Sequence, residues 1–381
     1  MADKVFIHIG LPKTATTYLQ TIMWGAREQM RAEGVLLPGA ERRDHLWASR
    51  VIRKEGELGN AHDRARTSWD RLRSEIANWR GTAVISHEFF AAASAEQAAG
   101  MIEQLAPAEV HVVATAREPL GLFAASWQEA IKNRETVRIE DYSREVSDSP
   151  SAIWNWRTLD LRLVLQRWSP TLPPQQVHVL PLPGKDAPRE EIWHRFAGLI
   201  GLDSHAYDLS GNFPNESLGV VEAETLRRIN AHMGDFKKSF ERGVYIRTYL
   251  ADERLVPRRG ARYWPGPDQI EDCRARGRAA AAYVEQQGFD VIGSTADLLV
   301  PDTLPERRHP SDVTDSEVAE VAVELVARIM HDVRDSRHER RRLIERLDRQ
   351  DAELRRLRPV AGPMRGLTRL VKRLGSTRRP A

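Results

Sequence analysis

Short apolar runs alternate with longer stretches of helical periodicity along most of the chain. Val5-Phe6-Ile7-His8-Ile9, Ala83-Val84-Ile85-Ser86, the run from Val110 to Thr115, and Val177-His178-Val179-Leu180 are near-continuous apolar segments of strand length. That is the pattern of strands covered on both faces. Between them the spacing predicts a helix from about Ala15 to Arg31 and another over Asn155–Trp168. Arg42–Trp79 reads as connecting helix and loop, Leu218–Met233 as helix, and Gly234–Pro267 as an irregular stretch rich in Arg and Tyr. A helix over about Gln269–Gln287 leads to a last strand-like run, Phe289–Ile292. Alternation of this kind predicts an α/β fold whose central, mainly parallel sheet is flanked by helices.

The end of the chain has a different texture. From Ser316 to about Leu357 there is no proline, and the pattern suits one long helix. Leu343, Leu347, Leu354 and Leu357 fall on a stripe with Gln350 in the gap, which suits pairing of two chains as a homodimer. Pro359 and Pro363 end this helix, and a short basic amphipathic segment follows over Met364–Leu374. The expected organisation is an α/β domain over 1–310, a C-terminal helix over 311–358 and a basic tail over 359–381.

Composition narrows the class. Of 381 residues, 41% are hydrophobic and 29% charged, the profile of a soluble globular protein. Cys273 is the sole cysteine, so neither a disulfide framework nor a cysteine zinc site can form, and a reducing compartment is expected. No apolar run approaches the roughly 18–20 residues of a membrane span, and Val5–Leu11 is too short for a signal-peptide core. A cytoplasmic location is therefore expected. The twelve histidines show no metal-ligand spacing, and no metal is expected.

Charge is unevenly spread. Residues 334–381 hold sixteen Lys and Arg against six Asp and Glu, a net of +10, so with a total of +3 the preceding residues carry −7. A mildly acidic body gives no support for nucleic-acid binding. The tail suits peripheral contact with an anionic membrane, at about 1 kcal/mol per basic residue near the surface, or a solvated extension.

The most informative stretch is the first strand, turn and helix, VFIHIGLPKTATTYLQ. A strand ending in Gly-x-Pro-Lys and running into Thr-Ala-Thr-Thr gathers backbone N–H groups, hydroxyls and one ammonium at a helix N-terminus. Orphan donors and the helix dipole both favour a phosphate-like anion there. The motif is not a Walker A loop, because Pro12 precedes Lys13 and a second glycine is missing. The plain alternative is an ordinary strand-to-helix turn capped by Thr14.

PKTATT resembles the 5′-phosphosulfate loop (PKSGTT-like) of sulfotransferases that use 3′-phosphoadenosine 5′-phosphosulfate, with Thr14 for Ser and Ala15 for Gly. The resemblance covers roughly residues 1–300 and implies a P-loop-like sulfotransferase fold. It implies that Lys13, the backbone of Thr14, Ala15, Thr16 and Thr17, and the threonine hydroxyls hold the 5′-phosphosulfate. Lys13 is also expected to neutralise charge on the bridging oxygen as the sulfuryl group leaves. A second matching element is VVATAREPLGLFAASWQEAIK, where Arg117 and Ser126 match the residues that bind the 3′-phosphate. Arg suits that task through its planar fork. Ser126 lies nine residues after Arg117; the commoner family spacing is one shorter and lands on Ala125.

Between these elements AVISHEFFAAAS places His87 and Glu88 after a strand. Either can take the proton of an acceptor hydroxyl, and Glu88 is the first candidate base. NESLGVVEAETLRRIN resembles a helix opening common among bacterial members, with Asn215 or Ser217 as its cap. Arg258-Arg259-Gly260 resembles, weakly, an element that touches the 3′-phosphate, or is solvated surface. His45-Leu46-Trp47 offers an acceptor or adenine contact, or plain core. The expected activity is metal-free sulfuryl transfer to a hydroxyl of a small molecule, carbohydrate or lipid by in-line displacement. The alternatives are a nucleotide-dependent kinase and a non-catalytic, membrane-associated scaffold of the same fold.

Overall fold

The computed structural model describes residues 1–184, 187–210 and 217–357. Six strands, β1 (Lys4–His8), β2 (Val35–Leu36), β3 (Thr82–Ser86), β4 (Glu109–Ala116), β5 (Val177–Pro181) and β6 (Asp290–Val291), form one sheet in the order β2-β3-β1-β4-β5-β6. Every neighbouring pair is parallel. The helices that matter below are α1 (Thr16–Gly25), α2 (Arg27–Ala32), α3 (Arg42–Ile52), α4 (Pro119–Lys132), α5 (Leu161–Trp168), α6 (Glu191–Leu199), α7 (Val220–Asn230), α8 (Pro267–Gln287) and α9 (Asp315–Leu357). The chain divides into two compact units, Met1–Val321 and a second that begins at Ala322.

Side chains alternate across each strand. Phe6, Val84, Val113 and Leu180, from β1, β3, β4 and β5, point to one face of the sheet, where Leu19, Met23, Trp193 and Phe196 of α1 and α6 cover them. Val5 and Ile7 point to the other face and are equally buried. This double cover explains why the strands read as apolar runs rather than as alternating ones. The strands expected from sequence are present to within a residue or two at each end. β2 has two residues and is too short to leave a periodic signal.

Three helices differ from the sequence pattern. The one expected from Ala15 to Arg31 is two, because Ala26 stands outside helical geometry at φ −108°, ψ 25°. The one over Asn155–Trp168 breaks at Asp160, whose side chain caps α5 by accepting from the Leu163 N–H. The stretch read as irregular contains a wide-turned helix over Arg242–Leu255. At α7 the cap position belongs to Gly219, which has no side chain to offer, and not to Ser217; Asn215 lies outside the described residues. The basic segment Met364–Leu374 lies outside them as well. Among the described residues no helix is long and apolar enough to cross a membrane.

The sheet's C-terminal edge is tied by a buried polar network. His8, at the end of β1, bonds through Nδ1 to Ser86 Oγ at 2.8 Å and through Nε2 to Thr115 Oγ1 at 3.0 Å. His45 on α3 accepts the Ser86 N–H on Nδ1 at 3.1 Å and donates from Nε2 to the Pro38 carbonyl at 2.8 Å. Gln20 on α1 donates to the Ser86 carbonyl at 2.8 Å. Burial, with His87 nearby, pushes the His8 imidazole down to about 3, and burial pushes that of His45 down to about 4.

Both histidines fold neutral but accept protons freely when unfolded, so stability falls as pH drops through 6.5 toward those values. Between pH 7 and pH 5 the two together cost roughly 4 kcal/mol of unfolding free energy. Denaturant titrations across that range should show the loss, and His8→Gln should remove about half of the slope. A stability profile flat over that interval contradicts the neutral buried pair.

Candidate functional site

β1 does not release its neighbour at His8. Ile9 N–H donates to the Val113 carbonyl at 2.9 Å and Leu11 N–H to the Thr115 carbonyl at 2.8 Å, so the turn follows β4 to its end. The turn then reverses through three residues with positive φ, Gly10 (55°), Lys13 (66°) and Ala15 (62°). Thr14, completely buried, donates its hydroxyl to the Leu11 carbonyl at 2.6 Å and lies 2.8 Å from Thr115 Oγ1. That hydroxyl braces the loop, which leaves the residue's backbone N–H as the group it offers outward.

Helix α1 begins at Thr16 with Ala15 at the cap position, and no side chain caps its first turn. The expectation that Thr14 caps this helix is corrected by that geometry. Thr16 Oγ1 is buried and has no hydrogen-bond partner. It lies against Gly10, where an added Cβ would stand 2.7 Å from it and 3.2 Å from the Cβ of Glu88. Gly10 is thus required twice, for its φ and for the close approach of Thr16 and Glu88. Thr17 is exposed, and its hydroxyl accepts from Arg42 at 3.3 Å. Uncapped N–H groups, a positive helix end and an orphaned buried hydroxyl are the features that suit an anion.

Lys13 is committed to an ion pair. Its Nζ pairs at 2.7 Å with Glu129 Oε2 on α4, while Arg247 of the wide-turned helix contacts Glu129 Oε1. Glu129 is buried and both cations are partly exposed. Burial pushes the Glu129 carboxyl up, but Lys13 and Arg247 outweigh it and hold it below the usual carboxylate range. Nothing in the motif analysis pointed to Glu129 or Arg247. The available signal was that Glu129 is the single acidic residue of the largely apolar α4. Arg247 sits in a stretch too rich in Arg to single one out.

Glu88 and His87 stand just past β3. His87 is buried, accepts the Phe89 N–H on Nδ1 at 3.1 Å and so caps the short turn Glu88–Ala92. Burial pushes its imidazole down. Glu88 is mostly buried, and its Oε2 has no hydrogen-bond partner, with His87 Nδ1 3.8 Å away. Of the two candidate bases, Glu88 is the one placed beside Gly10 and Thr16 with an uncommitted oxygen.

The second matching element behaves less simply. Arg117 is half-buried at the end of β4, with Nε 3.5 Å from Glu118 Oε1. Glu118 caps α4 by accepting the Gly121 N–H on both oxygens, at 2.9 and 2.8 Å, so this helix end is occupied by the protein's own carboxylate. Arg117 and Arg262 each lie within electrostatic reach of Arg307, which covers the Trp264 ring at 3.7 Å. Ser126 is fully buried and bonded to Tyr142 Oη at 2.6 Å; Ala125, the commoner family position, is partly exposed but has no hydroxyl. Arg258 donates to the buried Glu222 at 3.0 Å, and Gly260 packs on that same carboxylate, so this doublet is part of the fold's bracing. His45 belongs to the core network, and Trp47 packs on His62 and Arg64.

The structure therefore defines an α/β protein with a six-stranded parallel sheet, and the loop after β1 lies at its C-terminal edge, where ligands of such folds bind. Comparison of the chain with protein-family models, curated proteins and solved structures finds no match. Among the described residues no group of His, Cys, Asp and Glu is arranged to hold a metal ion.

Ala15 carries a Cβ in the left-handed region, at a cost of roughly 1–2 kcal/mol, part of which glycine would return as unfolded-state entropy. Ala15→Gly should therefore raise stability by roughly 0.5–1 kcal/mol in urea unfolding. Unchanged or lower stability would mean that the loop is not left-handed at this position.

Proposed function

We propose that this chain is a sulfotransferase, moving a sulfuryl group from 3′-phosphoadenosine 5′-phosphosulfate to an acceptor hydroxyl. The observation that carries the reading is the uncapped first turn of α1, with the unpartnered Thr16 Oγ1 and the Cβ of Glu88 both against Gly10 and Glu88 Oε2 left without a hydrogen-bond partner. The Thr16 hydroxyl suits an anion and the Glu88 carboxylate a hydroxyl proton. The residues present fit the donor's 5′ end: the backbone N–H groups from Lys13 to Thr17, the Thr16 hydroxyl and the Lys13 ammonium would hold it. At the 3′ end Arg117 fits, with Arg307 near it. Ser126 is engaged with Tyr142 and adds nothing there in this conformation.

In this reading the donor supplies a sulfuryl group already attached to a good leaving group. The chain's own residues position, neutralise and deprotonate. Glu88 Oε2 takes the acceptor proton. Lys13 exchanges its partner, Glu129, for the donor's anionic oxygens, while Arg247 keeps the buried carboxylate paired. His87 is bound to its own turn and holds Glu88 in place. Acceptors remain the broad class of hydroxyl-bearing small molecules, carbohydrates and lipids.

Calorimetric titration tests this reading, using adenosine 3′,5′-bisphosphate against ADP and AMP, with and without Mg²⁺. The expected result is metal-independent binding that prefers the 3′-phosphorylated nucleotide. Lys13→Ala should weaken it by about tenfold or more, and Arg117→Ala should erase the preference. Glu88→Gln should leave that binding intact but lower transfer to any accepted hydroxyl by roughly 10²–10⁴. A preference for ADP that requires Mg²⁺ would favour a kinase, and absence of nucleotide binding a scaffold.

A further inference from the structure

Helix α9 runs from Asp315 to Leu357, and from Val323 to Leu354 a single stripe follows it with spacings of three and four in strict alternation. Of its ten positions seven are apolar, among them Val326, Met330, Ile344 and Leu347, and the exceptions are Arg337, Arg340 and Asp351. The apolar members are exposed. This seam differs from the leucine stripe read from the sequence: it keeps Leu347 and Leu354 but continues through Ile344 rather than Leu343, and it is more than twice as long. A regular alternation of three and four is the signature of a helix that pairs with another along a heptad seam.

We propose that this seam pairs with the same helix of a second copy of the chain, antiparallel, with Ile344 packed against Leu347 of the partner subunit. The charges carry the argument. In a parallel, in-register pair every residue meets its own copy, so Arg337, Arg340 and Asp351 would each face a like charge in the seam. In the antiparallel register Arg340 meets Asp351 of the partner subunit, and one step outside the seam Arg341 meets Asp348 of the partner subunit. The two-fold axis repeats both pairs. Sliding by one heptad toward the helix start sets Asp351 against Val333, and sliding the other way sets it against Leu347. Neither slide neutralises the seam. Among the described residues Arg340, Arg341, Asp348 and Asp351 make no ion pair within their own chain, so all four charges await partners.

Sedimentation velocity on the full chain tests this. The expected species at micromolar concentration is a dimer of twice 43.3 kDa. Arg340→Asp and Asp351→Arg, each alone, should weaken it by about tenfold or more, and the double charge exchange should restore it. Restoration is specific to the antiparallel register, because in a parallel pair the double variant still sets like against like. Circular dichroism shows whether each variant keeps its helix. A monomer at these concentrations overturns the proposal, as does a dimer indifferent to the single exchanges or one that the double exchange does not restore. The proposal is independent of the chain's catalytic assignment.

Discussion

The buried bond set around His8 is the constraint on which the site depends. One imidazole joins the ends of β1, β3 and β4 through Ser86 and Thr115, and Thr115 passes the connection to Thr14 in the loop. An unpaired buried polar group costs 1–3 kcal/mol, so such a network holds one arrangement or fails. It keeps the turn after β1 pressed along β4 and braces the loop in which Lys13 and Ala15 adopt left-handed geometry. The first turn of α1 then starts with no side chain capping it. Rigidity beneath and unsatisfied donors above are two sides of one construction.

Charge follows from that geometry. A helix N-terminus, an ammonium and nearby arginines attract anions, and the fold places its own carboxylates among them. Glu118 caps α4 under Arg117, and Glu129 lies between Lys13 and Arg247. Each carboxylate compensates cations that would otherwise repel one another in a partly desolvated place. α1 alone is left without such a substitute, which directs the proposed donor's 5′ end to it rather than to α4. Glu129 is well suited to release Lys13, because Arg247 remains to keep it paired.

Much of this was legible in the chain's pattern. The four long strands declared themselves because both faces of the sheet are covered, so most of their positions are apolar. The loop after β1 was legible because Gly, Pro, Lys and three Thr have few reasons to cluster. What the pattern could not give was direction. Thr14 and Thr16 look alike in sequence, yet one braces the loop and the other is left unpartnered, since their Cβ vectors diverge where the helix begins. Ser126 and Ala125 differ by one position on α4, and that rotation buries the hydroxyl under Tyr142. Glu129 and Arg247 meet only because the wide-turned helix packs on α4, a tertiary contact between stretches with no shared motif. Along α9 the longer stripe was hard to read because charged residues occupy three of its positions.

The most direct test of the central claim is a crystal structure with adenosine 3′,5′-bisphosphate. The account predicts the 5′-phosphate on the backbone N–H groups between Lys13 and Thr17, in contact with Thr16 Oγ1. Lys13 Nζ should have moved from Glu129 to that phosphate, leaving Glu129 paired with Arg247. A nucleotide bound elsewhere on the sheet, or one on this loop with Lys13 still held by Glu129, would contradict it.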